Sequence, residues 1–366
     1  MKVNPNFLKK VKKYGAFDIS KCFNCGNCTA VCPLSAEDAS FPRKMIRYAQ
    51  VGAQKEIESS LDPWLCYYCG ECSDTCPRQA YPGEFMMTLR RYLIAKYDIT
   101  GISGFFYRFP WIQNILVAGI FAFSLGAFAV YKGDFQELAA KIELAFPVYV
   151  TLAIAAYVFT FYRKTILDKA KKILISFDFS NIKETLIHGL TQKNFSGCSD
   201  TDRTRWIAHL LVMSGYTLTL VISNLHLLEP LKKHYGISDF ATFLVFYAAF
   251  AILAGGFIMM YRRAKKKAQS SSFSHSTDWL FVVMLFLIGF TTAVVHISNM
   301  ILGPQDPRVE MLYKINIAVE VAWIIIIVPF TKWIHIFFRP MAVYLRNLKK
   351  EEAQGKLFSM PIPGLK

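Results

Sequence analysis

The sequence predicts an all-α chain in two parts: a small helical domain over residues 1–108, then a bundle of six membrane-crossing helices. Three observations carry that prediction. Eight of the nine cysteines fall into two copies of one spacing, all before residue 77. Six long apolar stretches follow residue 110. No part of the first 108 residues shows the apolar–polar alternation of a half-buried strand.

Cys22, Cys25, Cys28 and Cys32 read C-x2-C-x2-C-x3-C and close with Pro33; Cys66, Cys69, Cys72 and Cys76 repeat the run and close with Pro77. This run holds pairs of [4Fe–4S] clusters, each needing four thiolates around a small volume. The tight loop supplies three, and in two-cluster proteins the fourth cysteine ligates the other cluster. The expected sets are Cys22, Cys25, Cys28 and Cys76 for one cluster, and Cys66, Cys69, Cys72 and Cys32 for the other. Zinc takes four ligands at a tetrahedral site, and two identical runs each closed by proline point away from it. Disulfides are disfavoured because clustered free thiols belong to a reducing compartment.

Between the motifs, Arg43–Ser60 reads as one helix. After them Tyr81–Ala95 reads as another, with Met86, Leu89 and Leu93 on one face. The pattern favours a helical ferredoxin domain over the small mixed α/β kind. No Gly-rich phosphate loop is present, so neither nucleotide nor flavin is expected on this chain.

The chain has 366 residues, 54% hydrophobic, which is too apolar for an ordinary soluble protein. Its formal charge of +16 would suit a nucleic-acid partner. The basic residues, however, sit mainly beside the apolar stretches, where membrane proteins place them, and bound clusters add negative charge outside that sum. Nucleic acid is therefore not expected as a partner. The opening MKVNPNFLKKVKKYGAF has no apolar core and no twin-Arg motif, so no export signal is expected and the cysteine domain should stay in the cytoplasm.

The expected spans are 110–131, 142–162, 206–228, 240–261, 279–302 and 315–338, each long enough for a hydrocarbon core of about 30 Å. Glu143 and Pro147 weaken the second. Arg163, Lys164, Lys169, Lys171 and Lys172 follow the second span; Arg262, Arg263 and Lys265–Lys267 follow the fourth; Arg339, Arg346, Lys349 and Lys350 follow the sixth. The opposite loops are poorer in Lys and Arg, which puts both termini in the cytoplasm of a multi-pass protein of the cytoplasmic membrane. The expected parts are 1–108, a first hairpin 109–163, a basic linker 164–204 with a short amphipathic helix around Ile182–Leu190, a four-helix unit 205–340 and a tail 341–366.

An ionisable group at membrane depth is a functional candidate. His209 and His335 lie at the cytoplasmic ends of the third and sixth spans, while His226 and His296 lie near the far ends of the third and fifth. These are two level pairs on different helices, as axial ligation of haem b requires. His209 and His226 are about 25 Å apart along an ideal helix, a long separation for neighbouring haems, so the second pair suits either a second haem or a quinone site. Glu320 is the clear acid inside a span and could take protons from a quinol; the alternative is a carboxylate that snorkels to the surface or is held by Lys314. His188, His234 and His275 read as solvated, and Cys198 as a plain thiol.

These residues resemble a known family. The cysteine half, above all CYYCGECSDTCPRQAYPGEFMMTLRRYLIAKYDITGIS from Cys66 to Ser103, resembles the small iron–sulfur component of heterodisulfide reductase, the one usually lettered C. The membrane half is similar to that enzyme's cytochrome b component, usually lettered E, and more distantly to the gamma subunit of respiratory nitrate reductase. FSGCSDTDRTRWIAHLLVMSGY carries the Arg-x3-His start of a span, here Arg205 and His209, and FTKWIHIFFRP carries the final axial histidine, here His335. A fusion of both halves is the arrangement of the membrane subunit of quinone-interacting membrane-bound oxidoreductase complexes. At the places of the nitrate reductase protein's other two histidines stand Thr219 and Ile317, so the resemblance does not carry a second haem. It implies electron exchange with menaquinone and cytoplasmic iron–sulfur flavoprotein partners of the heterodisulfide reductase A-like kind. Indirectly it implies adenylylsulfate reductase, in dissimilatory sulfur metabolism. Two other readings stay open: the membrane arm of a heterodisulfide-reductase-type complex, and a haem-free anchor for a ferredoxin module.

Overall fold

The computed structural model describes residues 2–15, 18–36, 40–167, 172–173, 179–192, 203–224, 240–266, 269–354 and 360–361. Helices account for nearly all of its regular structure; a two-residue antiparallel pairing of Lys172–Ile173 with Met360–Pro361 is the sole sheet among the described residues.

The N-terminal domain is built round the helix Pro82–Tyr97, which opens with a proline whose missing N–H costs nothing there. Met86, Leu89 and Leu93 are buried as the pattern predicts, but so are Phe85, Tyr92 and Ile94 on other faces. It is thus a central helix rather than an amphipathic surface one. Phe7, Val11, Met45, Ile46, Ala49 and Ile57 pack against it. The helix expected over Arg43–Ser60 is two helices, Arg43–Gln50 and Gln54–Glu58. Gly52 breaks them with φ +75°, and a Cβ there would lie 2.2 Å from the Asn4 carbonyl oxygen, so only glycine fits.

Among the described residues six helices are long and apolar enough to cross a membrane: Pro110–Val130, Phe135–Leu167, Arg203–Ile222, Thr242–Lys265, Ser276–Leu302 and Pro307–Phe330. The second is longer than the sequence pattern implied. Asp134 caps it by accepting from the Gln136 and Glu137 N–H groups, and it runs through Pro147 unbroken. The third, fourth and fifth pack side by side, the fourth between the others. Close approach is set by small residues: a Cβ on Gly255 of the fourth span would sit 2.7 Å from the Ala208 carbonyl oxygen of the third.

The sixth span departs from the expected 315–338. Its α-helix ends at Ala322 and continues as a π turn, Trp323–Ile327. Pro329 has no N–H to offer the Ile325 carbonyl four residues back; the Tyr149 hydroxyl of the second span donates to that oxygen instead, at 3.2 Å. The chain leaves the helix at Thr331, makes one 3-10 turn at Lys332–Ile334 and restarts as the helix His335–Ala353. His335 therefore stands at a helix start, outside the membrane-long segment.

The N-terminal domain and the bundle share one core. Trp64 and Tyr97 pack edge-on to Phe338 at 4.7 and 5.5 Å, and Phe161 stacks on Phe338 at 4.9 Å. The linker helix Phe179–Thr191 lies against the C-terminal helix, with Asn347 donating to Glu184 at 2.9 Å. The basic residues after the second span, before the third and after the sixth meet the cysteine domain: Lys164 with Glu58, Arg205 with Tyr68 and Arg339 with Cys66.

Candidate electron-transfer site

The two cysteine motifs fold as copies of one loop, 44 residues apart (22 to 66, 76 − 32 = 44). Asn24 and Tyr68 take left-handed φ values of 62° and 55°, and Gly26 and Gly70 take 94° and 104° before the one-turn helices Asn27–Ala30 and Glu71–Asp74. The left-handed bend turns a backbone N–H back on the first sulfur: Asn24 N–H donates to Cys22 Sγ and Tyr68 N–H to Cys66 Sγ, both at 3.4 Å. Ala80 N–H donates to Cys76 Sγ at the same distance. Such N–H···S bonds favour charge on the sulfur.

None of the eight described cysteines is in a disulfide. Burial pushes the Cys28 thiol up to about 11, with repulsion from Cys22, Cys25 and Cys76 adding to it. Burial likewise raises Cys32 to about 11, and its sulfur neighbours are Cys66 and Cys69. Each motif's last cysteine thus sits with the other motif's loop. Cys32, Cys66, Cys69 and Cys72 together line one cavity, closed by Leu34, Pro42 and Met86. Among the described residues no group of three or more Cys, His, Asp or Glu side chains is close enough to hold a single metal ion. A larger cavity between Tyr48 and Arg346 contains neither Cys nor His.

The second loop is held by three arginines, Arg90 of its own domain's central helix and Arg205 and Arg339 from the bundle side. Arg90 donates to the carbonyls of Pro63 (2.6 Å), Trp64 (3.3 Å) and Cys66. Arg205 donates to Tyr68 (2.6 Å) and Tyr67 (3.2 Å). Arg339 reaches the Cys66 carbonyl at 3.5 Å and lies 3.9 Å over the Tyr67 ring. Sequence reasoning noted Arg205 only as part of an Arg-x3-His start and missed the rest; the signal available was the mirrored spacing Arg205-x3-His209 and His335-x3-Arg339, which puts each arginine one helical turn from a histidine.

His209 and His335 meet, their ring centres 6.2 Å apart. A ligating imidazole nitrogen lies about 2 Å from its metal, with the ring centre ~1 Å further back, so two imidazoles on opposite sides of one ion have centres about 6 Å apart. His335 Nδ1 lies 2.5 Å from the Lys332 carbonyl oxygen. Nδ1–H donation to a carbonyl leaves the Nε2 lone pair free, the tautomer a metal-ligating histidine needs. The donor set therefore fits a bis-histidine haem. His296 packs against Phe246, ring centres 5.8 Å apart, while its proposed companion His226 lies outside the described residues, as do His234 and Cys198.

Glu320 is half-buried and accepts from Asn316 Nδ2 at 2.7 Å; Asn316 Oδ1 in turn accepts from Thr291 (2.8 Å) and Thr292 (3.0 Å) of the fifth span. Lys314 pairs with Glu310 at 2.7 Å, so the expected alternative of a Lys314-held Glu320 gives way to an amide-held one. His275 is not solvated as expected: it packs edge-on to Tyr107 and caps the fifth span by accepting from Thr277 N–H. Beside it runs a buried ion network that the sequence did not disclose. Arg91 donates to Glu84 (3.0 Å), the Tyr14 carbonyl (3.1 Å) and Asp278 (2.9 Å). Glu84 also accepts from Tyr68 of the cysteine loop (2.8 Å), and Asp278 pairs with Lys332 (3.1 Å).

Fold and site together define an iron–sulfur electron-transfer domain seated on one end of a helical bundle. A family profile described as a 4Fe-4S dicluster domain matches residues 18–80. The C subunits of the H(2):CoB-CoM heterodisulfide,ferredoxin reductases of Methanothermobacter marburgensis and Methanothermobacter thermautotrophicus are each 36% identical to this chain over 63 residues, 17% of this chain and 34% of theirs. The chain thus spans about a third of the length of these curated relatives. No solved structure matches. The N-terminal domain is therefore related to these heterodisulfide reductase proteins, and is joined here to six membrane-capable helices.

Proposed function

We propose that the chain is the quinone-reactive membrane subunit of an oxidoreductase complex, linking menaquinone to cytoplasmic iron–sulfur flavoprotein partners. The observation that carries the reading is the meeting of His209 and His335 within a helical turn of the arginines that hold the Cys66–Tyr68 loop. His209 and His335 would hold haem b; Cys22, Cys25, Cys28 and Cys76 one [4Fe–4S] cluster; Cys66, Cys69, Cys72 and Cys32 the other. These groups carry one electron at a time, whereas a quinol yields two electrons and two protons. Glu320, held by Asn316 at a depth away from the histidine pair, is the residue to receive such a proton. His226 and His296 form a second haem or quinone site.

The basic ends that meet the cysteine domain support a cytoplasmic side for it and for both termini. The resemblance to a fusion of iron–sulfur and cytochrome b components supports a place in a quinone-interacting membrane-bound oxidoreductase complex, with adenylylsulfate reductase as the indirect partner. The relatives' name favours one other reading, a membrane arm serving a heterodisulfide reductase; the chain has no adjacent cysteine pair of the kind that holds that enzyme's special cluster. A reduced-minus-oxidised absorption spectrum of the purified chain tests the proposal. A b-type band is expected, lost in His209→Ala and in His335→Ala with cluster absorption retained. A wild-type chain without that band would leave only a haem-free anchor.

A further inference from the structure

We infer that the cluster of Cys66, Cys69, Cys72 and Cys32 is the one next to the membrane site, and that Arg339 is the positioning residue that fixes it there and eases its reduction. The inference rests on the functional reading above.

Among the described residues, hydrogen bonds from the bundle side reach the Cys66 loop, and those found on the Cys22 loop come from its own domain. Carbonyls of Cys66, Tyr67 and Tyr68 accept from Arg205, at the start of the third span, and Arg339, in the first turns of the C-terminal helix. The Cys22 loop is held within its own domain, by Gln50 on the Cys22 carbonyl (2.8 Å) and Asn24 on Gln50 (2.6 Å). Its nearest cation at Gly26, Arg43, also belongs to that domain. Cys25 is exposed, and Phe23 beside it is 60% exposed, so the first cluster lies at the outer edge where a soluble partner docks.

Arg339 joins the two redox sites through one side chain. One nitrogen faces the Cys66 carbonyl and the guanidinium plane lies on Tyr67. The other nitrogen, Nη2, is buried with no partner among the described residues. A buried guanidinium donor wants an anion, and Arg339 is among the cations facing His209. A carboxylate of a tetrapyrrole held by that histidine is an anion of the right chemistry. A cluster gains negative charge on reduction, and arginine keeps its proton when buried, so the fixed cation favours the reduced form of the nearer cluster.

Redox titration of the intact chain followed by electron paramagnetic resonance tests this. Cys25→Ser marks the first cluster, because serine ligation at that exposed position alters its signal. In Arg339→Gln the unmarked cluster should become harder to reduce by about tenfold against a reference dye, 59 mV for a one-electron couple. The marked cluster should not move, and Arg339→Lys should recover most of the change. Should Arg339→Gln not load its clusters, Arg205→Gln must shift the same signal in the same direction. A shift in the marked cluster, equal shifts in both or no shift overturns the inference. A wild-type chain lacking the b-type band overturns the functional reading instead.

Discussion

Replacing Arg91 by methionine should loosen the N-terminal domain from the bundle. Arg91 is 5% exposed and bridges Glu84 (3% exposed) to Asp278 (12% exposed) across the two parts of the chain. Deleting one member of a buried ionic group costs about 3–5 kcal/mol, because its partners are left charged and dry. Here each stranded acid keeps one other donor, Tyr68 for Glu84 and Lys332 for Asp278. The lower end, about 3 kcal/mol, is therefore expected, or about 100-fold in the opening equilibrium. Hydrogen exchange of the detergent-solubilised chain reads it directly: amides in Pro82–Tyr97 and the first turns of Ser276–Leu302 should lose about two decades of protection. Adding Asp278→Asn to Arg91→Met should cost less than the two single changes summed, by about 1 kcal/mol or more. Protection within tenfold of wild type, or strict additivity, would show that the network does not hold the two parts together.

Other outcomes follow from the same geometry. Cys76→Ser should alter the resonance signal of the cluster on the Cys22 loop, and Cys32→Ser that on the Cys66 loop; the opposite assignment would mean that each motif keeps its own fourth ligand. Burial works to raise Glu58, but donation from Tyr92 and Gln54 (2.8 Å) and the nearby Lys164 outweigh it, so its carboxyl lies below the ordinary value. A depressed carboxylate adds stability above its unfolded pKa of about 4.3 that is lost as pH falls through the lower folded value. Thermal stability should therefore drop on acidification below about pH 4, and Glu58→Gln should flatten that limb; an unchanged limb would remove Glu58 from the acid response. Gly255→Leu should push the fourth span off the third beside Ala208 and His209, and a variant with an unaltered b-type spectrum would count against that close contact as a support for the histidine.

The cysteine loops were legible because their chemistry fixes both residue type and spacing, and the spans because a hydrocarbon core demands length and apolarity together. The level of His209 and His335 could be read from counting along spans, and their contact agrees with that level. What stayed hidden was set by single residues acting across long sequence distances. Gly52 splits a helix because the Asn4 backbone occupies the place of its Cβ, 48 residues away in sequence (52 − 4). Pro329 was visible, but the turn it imposes depends on Tyr149 from another span. Arg91 sits in an ordinary-looking run of basic and apolar residues, and only the fold brings Asp278 to it, 187 residues on.

That last distance bears on assembly. The face of the N-terminal domain that receives Arg205, Asp278, Lys332 and Phe338 is synthesised long before any of them. Until the chain has passed the sixth span, Trp64 and Tyr97 have Phe161 of the second span against them but not Phe338, and Asp278 has Arg91 but not Lys332. The domain translated first is thus the one finished last, when Phe338 closes the aromatic cluster of Trp64, Tyr97 and Phe161.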